Sequence, residues 1–230
     1  MADYSRPANV TLVVGASGTG KTTFCYRYLV NAATAQEANP EPAACLFVFD
    51  WKLEAEMRLG IPAVTTQVGC EWALAGRVVV FNPHVMFPGD CEVPGVDGKP
   101  ILNDAKAALR WFADWCWTVS QWGPGRKILY VDELREFGNK FSVMPEINRI
   151  IRNGRFHGLQ FVTSTQYPRD YHVDIRAGVT EWVLFNCSEP DDLAVIRPYF
   201  RGVDELPNLA RGEFIAVNRL GGATMRGRIF

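Results

Sequence analysis

Eight residues near the start of the chain, Gly15-Ala16-Ser17-Gly18-Thr19-Gly20-Lys21-Thr22, set Gly15 and Gly20 with four residues between them and follow the latter with lysine and threonine. Binding a polyphosphate calls for this arrangement. Glycines let successive backbone N–H groups turn inward around a β-phosphate, lysine reaches the β- and γ-phosphates, and the next hydroxyl coordinates Mg²⁺. The apolar run Val10–Val14 precedes the motif and a helical stretch follows it, so the positive end of a helix adds to the cradle. On this reading Gly15, Ser17, Gly18, Thr19, Gly20, Lys21, Thr22 and Thr23 hold a nucleoside triphosphate, with Thr22 as a metal ligand.

A second apolar run, Ile128-Leu129-Tyr130-Val131, ends in Asp132-Glu133. A buried strand would deliver Asp132 to the carboxyl edge of a sheet, beside the phosphate loop, where it holds Mg²⁺ through water. Glu133 is then placed to polarise the attacking water. The pair also selects the nucleotide. A GTPase switch wants glycine three residues after the aspartate, where this chain has Arg135, and the one Asn-Lys pair, Asn139-Lys140-Phe141-Ser142, lacks the aspartate of a guanine reader. The expected ligands are ATP and Mg²⁺.

A third run, Leu159–Ser164, leads to Thr165-Gln166 and is preceded by Arg155-Phe156-His157-Gly158. The strand carries Gln166 to the same edge as Asp132, where its amide can sense a γ-phosphate. Arg155 falls at the other end. It is better placed to serve a neighbouring subunit in a closed ring of heterologous contacts. Arg149 and Arg152 precede it at intervals of three, on a shared helical face, so which of the three arginines acts in trans stays open.

The elements that must position these residues alternate between short β-branched or aromatic runs and longer helical stretches, the pattern of an α/β fold with a mainly parallel sheet. Expected strands are Val10–Val14, Leu46–Asp50, Val78–Asn82, Ile128–Asp132, Leu159–Ser164 and Trp182–Asn186. Expected helices follow Gly20, run from about Ile101 to Gln121, cover about Pro145–Asn153, and start near Glu189 with Pro190 in the first turn. Glu213 to Phe230, broken at Gly221-Gly222, reads as a closing β-hairpin. Residues 1–230 are expected to form one domain, and Pro83–Pro100, acidic and rich in Pro and Gly, a surface excursion.

With 24 basic and 25 acidic side chains the formal charge is −1, which counts against a protein that coats DNA statically but not against one that lets DNA slide. The six cysteines show neither CxxC pairs nor zinc spacing, so reduced thiols are expected. The start, MADYSRPANV, shows no signal segment, and no apolar run approaches the roughly 20 residues of a membrane span. On these features the protein is expected in the cytoplasm unless a partner takes it elsewhere.

Taken together, the phosphate loop, the Asp132-Glu133 strand end, and Arg155 and Gly158 leading to Thr165-Gln166 resemble the FtsK–HerA superfamily of ring-forming DNA-pumping ATPases. Phe49-Asp50-Trp51-Lys52 looks like that family's Asp-x-Lys, and Leu206-Pro207 through Arg211-Gly212-Glu213-Phe214-Ile215 like its terminal strand entry. The size of the chain points to the genome-packaging ATPases of tailless, internal-membrane (tectivirus-type) phages. The resemblance implies a RecA-like P-loop core that assembles as a homohexameric ring and packages double-stranded DNA into a preformed capsid, in the host cytoplasm or at a virion vertex beside portal or vertex proteins. It also implies Glu133, Gln166 and Arg155 as the catalytic set.

Two rivals stand beside it. A small kinase would want a basic lid where Pro83–Pro100 is acidic, and a protein-directed assembly ATPase of the filamentous-phage type would normally carry a transmembrane segment. Candidate DNA contacts are the segment Arg135–Met144, with Gly138 and Lys140, and the basic trio Arg219, Arg226 and Arg228. The Trp-rich helix (Trp111, Trp115, Trp117, with Trp122 beyond) reads as core or subunit contact rather than a stacking surface for bases. Lys21→Ala is expected to weaken ATP binding by roughly ten- to a hundredfold and to abolish hydrolysis. Isothermal titration and a phosphate-release assay measure both.

Overall fold

In a computed structural model the described residues are 10–34, 43–87, 93–94, 100–101, 104–137, 141–219 and 222–230. They run β1 (Val10–Val14), α1 (Lys21–Ala33), β2 (Cys45–Phe49), α2 (Ala55–Leu59), α3 (Gln67–Ala75), β3 (Val78–Phe81), β4 (Val93–Pro94), β5 (Pro100–Ile101), α4 (Asp104–Ser120), β6 (Lys127–Val131), α5 (Pro145–Asn153), β7 (Leu159–Thr165), α6 (Val173–Gly178), β8 (Glu181–Leu184), α7 (Pro190–Ile196), β9 (Glu213–Asn218) and β10 (Thr224–Arg228). The main sheet has eight strands in the order β10-β9-β8-β1-β7-β6-β2-β3. β1, β2, β3, β6, β7 and β8 are parallel, and β9 and β10 add an antiparallel edge.

Alternation along each strand splits the core in two, because successive side chains point to opposite faces. Leu12, Val14, Phe47, Phe49, Leu129, Val131, Phe161 and Trp182 belong to one cluster, covered by α4 and α5 through Phe112, Trp115, Ile147 and Ile150. Val13, Leu46, Val48, Ile128, Tyr130, Val162 and Val183 form the other, covered by α1 through Cys25, Tyr26 and Leu29. Continuous apolar runs are what a sheet buried on both faces requires. Phe112 lies at the centre of a ring stack, 5.0 Å from Phe81 and 5.7 Å from Trp115 between centroids.

The strand register sets up the site. Val131 lies opposite Phe49 on β2 and opposite Thr163 on β7, so Asp50, Asp132 and Ser164 emerge at one level. Val14 lies opposite Thr165 and Leu184, which puts the loop after β1 between Gln166 and Asn186.

The expected strands are present with ends moved by one or two residues. The helix expected from about Ile101 begins at Asp104, because Pro100 and Ile101 pair with Pro94 and Val93 as a small separate ribbon. Helices α2, α3 and α6 were not legible in the sequence. They have five to nine residues, and no proline marks their start as Pro145 and Pro190 mark the equally short α5 and α7. Among the Trp-rich residues, Trp115 is buried, Trp111 and Trp117 pack against the core, and Trp122 is exposed. Part of the Pro83–Pro100 excursion (88–92 and 95–99) and the hairpin turn at 220–221 lie outside the described residues. No helix among the described residues is long and apolar enough to cross a membrane.

Phe112→Ala removes a fully buried ring and is expected to cost about 3–5 kcal/mol. Trp122→Ala, at an exposed site, should change stability by no more than about 0.5 kcal/mol. Denaturant unfolding of both variants checks the contrast.

Candidate functional site: a phosphate loop facing an acidic strand end

The loop between β1 and α1 is held at both shoulders. Gly15 N donates to Thr165 O at 3.3 Å, and Ala16 N donates to Asn186 O at 2.8 Å. Inside the loop the Thr19 hydroxyl donates to Ala16 O at 2.8 Å, and the Lys21 ammonium reaches back to the same carbonyl at 2.9 Å. Gly20 caps α1 with φ 113°, a conformation that glycine alone adopts readily. Space makes the same demand there, since a Cβ on Gly20 would sit 2.3 Å from Ile229 Cδ1. Ser17 and Gly18 are exposed, Thr19 and Lys21 buried, and Thr22 and Thr23 half-buried. Burial pushes the Lys21 ammonium below its ordinary pKa, while Glu133 and Asp132 draw it back up.

Asp132 is nearly sealed from solvent and fully partnered. Its Oδ1 accepts from the Ser164 hydroxyl, its Oδ2 from the Lys52 ammonium at 2.8 Å, and its main-chain oxygen from Trp51 Nε1 at 3.0 Å. The ends of β2, β6 and β7 are thereby tied together. Glu133 follows in the left-handed region at φ 50°, a conformation costing a non-glycine residue about 1 kcal/mol. It lines a cleft of ≈ 310 Å³ together with Trp51, Lys52, Arg135, Gln166 and Tyr167. Burial, then the neighbouring Asp132, raises its pKa, and Lys52 and Lys21 act in the other direction. Gln166 Nε2 lies 3.4 Å from Glu133 Oε1.

The structure thus brings Lys21, Asp132, Glu133 and Gln166 to one edge of the sheet and leaves Arg155 at the other. Arg155 sits in the 3₁₀ turn Gly154–His157 before β7, roughly 20 Å of strand away from Gln166. It is exposed, and its guanidinium lies 4.6 Å from the Phe156 ring. The other two arginines are engaged within the chain. Arg149 pairs with Asp114 at 2.6 Å, and Arg152 with Asp174 at 3.2 Å. The turn carrying Arg155 is anchored by Lys127, whose buried ammonium donates to Gly123 O at 2.7 Å, Gly125 O at 3.2 Å and His157 O at 3.3 Å.

Of the candidate DNA contacts, Gly138 and Lys140 lie outside the described residues. Arg135 turns back to pair with Asp170 at 2.9 Å. Arg219 is committed to the carbonyls of Ala177 and Val179, and Arg226 pairs with Glu205.

Two observations suit a triphosphate with its metal. The buried Lys21 ammonium rests on a neutral carbonyl, where a phosphate oxygen is the stronger partner. Thr22 and Asp132 are oxygen donors, the kind Mg²⁺ takes.

A mainly parallel eight-stranded sheet with a phosphate loop after a central strand and an acidic pair at a neighbouring strand end is the fold of a P-loop NTPase. The genome packaging NTPase B204 of Sulfolobus turreted icosahedral virus 2, solved with AMPPCP, superposes with a TM-score of 0.66 over 98% of this chain and 100% of its own, at 16% identity. VirB4 of Thermoanaerobacter pseudethanolicus gives 0.61 over 96% of this chain and 89% of its own, at 13% identity. The pCW3 conjugation coupling protein TcpA gives 0.56 over 97% of this chain and 60% of its own, at 13% identity. The likeness to these structures is one of fold. No protein-family model and no curated protein matches the sequence.

Sequence reasoning passed over Ser164, Asn186 and the role of Lys52. Ser164 and Asn186 act through strand register, which spacing along the chain does not reveal. Lys52 stood in a visible motif, but its partner Asp132 is on another strand. Glu133→Gln keeps the shape of the cleft and removes the raised carboxylate. It is expected to retain nucleotide binding while turnover falls roughly 10²–10⁴-fold, as steady-state kinetics beside titration would show.

Proposed function

We propose that this chain is an ATPase that drives double-stranded DNA into a viral capsid as a homohexameric ring. One observation carries the reading: the residues that hold and attack a triphosphate share one sheet edge, and Arg155 is mounted on the opposite edge. A subunit built this way has its arginine aimed away from its own site and presented to another's.

In this reading the loop amides and Lys21 bind the phosphates, and Thr22 with Asp132 would hold Mg²⁺, which when bound offsets phosphate charge. Lys52, now on Asp132, holds the carboxylate in place. Glu133 orients water toward the γ-phosphate, and its raised pKa suits a group that accepts a proton. Gln166 bridges Glu133 and the phosphate. Arg155 of the next subunit neutralises charge that develops during transfer, as trans-acting arginines do. DNA is gripped through its phosphates without base readout, a loose hold for which the near-neutral charge of the chain is no obstacle. Likeness to B204, a genome packaging NTPase by its description, supports packaging as the process served. Portal or vertex proteins of the capsid would be further partners.

Trans-complementation tests the ring. Arg155→Ala subunits should bind ATP normally and hydrolyse it about 10³–10⁵-fold more slowly. Mixed with Lys21→Ala subunits, which keep the arginine but cannot use ATP, they should recover part of the rate where an intact pocket meets an intact Arg155. Mixing that restores nothing under assembling conditions removes Arg155 from the role. Hydrolysis unchanged by added double-stranded DNA would turn the assignment toward a protein-directed assembly ATPase.

A further inference from the structure

Phosphate chemistry accounts for the loop and for the strand ends β6 and β7, but not for what stands on the other side of the loop. In the strand order, β1 has β7 and β6 on one flank and β8, β9 and β10 on the other. The water-orienting residue Glu133 and its partner Gln166 belong to the first flank. A triphosphate whose γ-end points toward Glu133 must send its ribose and base the opposite way, past Thr22 and Thr23 toward β8, β9 and β10.

At that flank the segments bordering the edge hairpin meet the loop. Gly212 N, just before β9, donates to Thr19 O at 3.0 Å, and Ile229 N, just after β10, donates to Gly212 O at 3.0 Å. Arg27 of α1 holds the Ile229 carbonyl. These bonds seat Phe230 against the loop. A Cβ on Gly20 would lie 3.3 Å from Phe230 Cζ, and one on Gly212 would lie 2.6 Å from Phe230 Cδ2. The residue is nonetheless 56% exposed, and the exposed Arg211 guanidinium sits over its ring, 5.3 Å from the centroid. An aromatic ring left open to water beside a phosphate site, with a planar cation beside it, is the surface on which a flat heterocycle stacks.

We propose that Phe230 and Arg211 form the base subsite of this nucleotide site, with the purine of ATP stacked on the Phe230–Arg211 platform. The proposal rests on the ATP reading above and extends it. Phe230 is thus a specificity element for nucleosides over bare polyphosphates, while the loop alone recognises phosphate.

The test compares two probes with Mg²⁺, a slowly hydrolysed ATP analogue and inorganic tripolyphosphate, by isothermal titration on the full chain. The variants are Phe230→Leu, which keeps much of the packing volume without the ring face, and Phe230→Trp, which keeps an aromatic face. Phe230→Leu should weaken the analogue about tenfold, the scale of one stacked base, and leave tripolyphosphate unchanged. Phe230→Trp should restore the analogue. Unchanged analogue affinity in Phe230→Leu overturns the platform, and an equal loss for both probes assigns Phe230 to loop support alone. Wild-type protein that binds tripolyphosphate but gains nothing from the nucleoside overturns the base subsite and leaves the phosphate loop standing. Binding of neither probe sinks the ATP reading, and the proposal with it.

Discussion

A carboxylate removed from water must be paired, and around Asp132 that requirement organises the whole edge of the sheet. Burying an ion without partners costs several kcal/mol, so the fold surrounds this one with a hydroxyl from β7, an ammonium from the turn after β2 and an indole N–H donated to the same residue's carbonyl. The partners come from two other strand ends, Ser164 from β7 and both Trp51 and Lys52 from the turn after β2. None is at hand unless β2, β6 and β7 lie parallel and in register, and that register in turn depends on apolar runs packed on both faces. Removing one partner strands the charge, which is why the edge behaves as a unit rather than as a collection of contacts.

The opposite edge solves a different problem, presenting a positive side chain outward on a firm base. Lys127 collects three main-chain carbonyls at the foot of β6, and burial lowers its pKa. Gly158 fits against Gly125, where a Cβ would lie 2.5 Å from the carbonyl oxygen. The turn that bears Arg155 is pinned by these contacts, and stacking on Phe156 limits where the guanidinium can swing. A long, flexible side chain is thereby partly ordered before any partner meets it, which lowers the entropy lost on contact.

Much of this was legible in the sequence. Gly15 to Thr22 and Ile128 to Glu133 carry local signals, a glycine spacing and an apolar run ending in acids, and local signals survive reading one residue after another. The six parallel strands were visible because strands buried on both faces cannot hide their hydrophobicity. What escaped depends on contacts between distant segments. Ser164 looked like an ordinary strand residue, Asn186 like the last residue of a strand, and nothing near Ile229 indicated that it would fill the space beside Gly20. The short helices α2, α3 and α6 escaped because they show no clear period and lack the initial proline that marks α5 and α7. Thr66, whose hydroxyl caps α3 by accepting from Gly69 N at 3.1 Å, was the available sign.

The seat of the phosphate loop is assembled from the far end of the chain. Its shoulders rest on Thr165 and Asn186, and the glycine that caps α1 rests on Ile229. A ribosome releases the motif long before it releases these supports, at about 5–20 residues per second. A nascent chain halted before β9 would carry the motif and both shoulders but not Ile229, which packs against Gly20. The order of synthesis thus separates the two shoulders of the loop, made with β7 and β8, from the side chain that packs against Gly20.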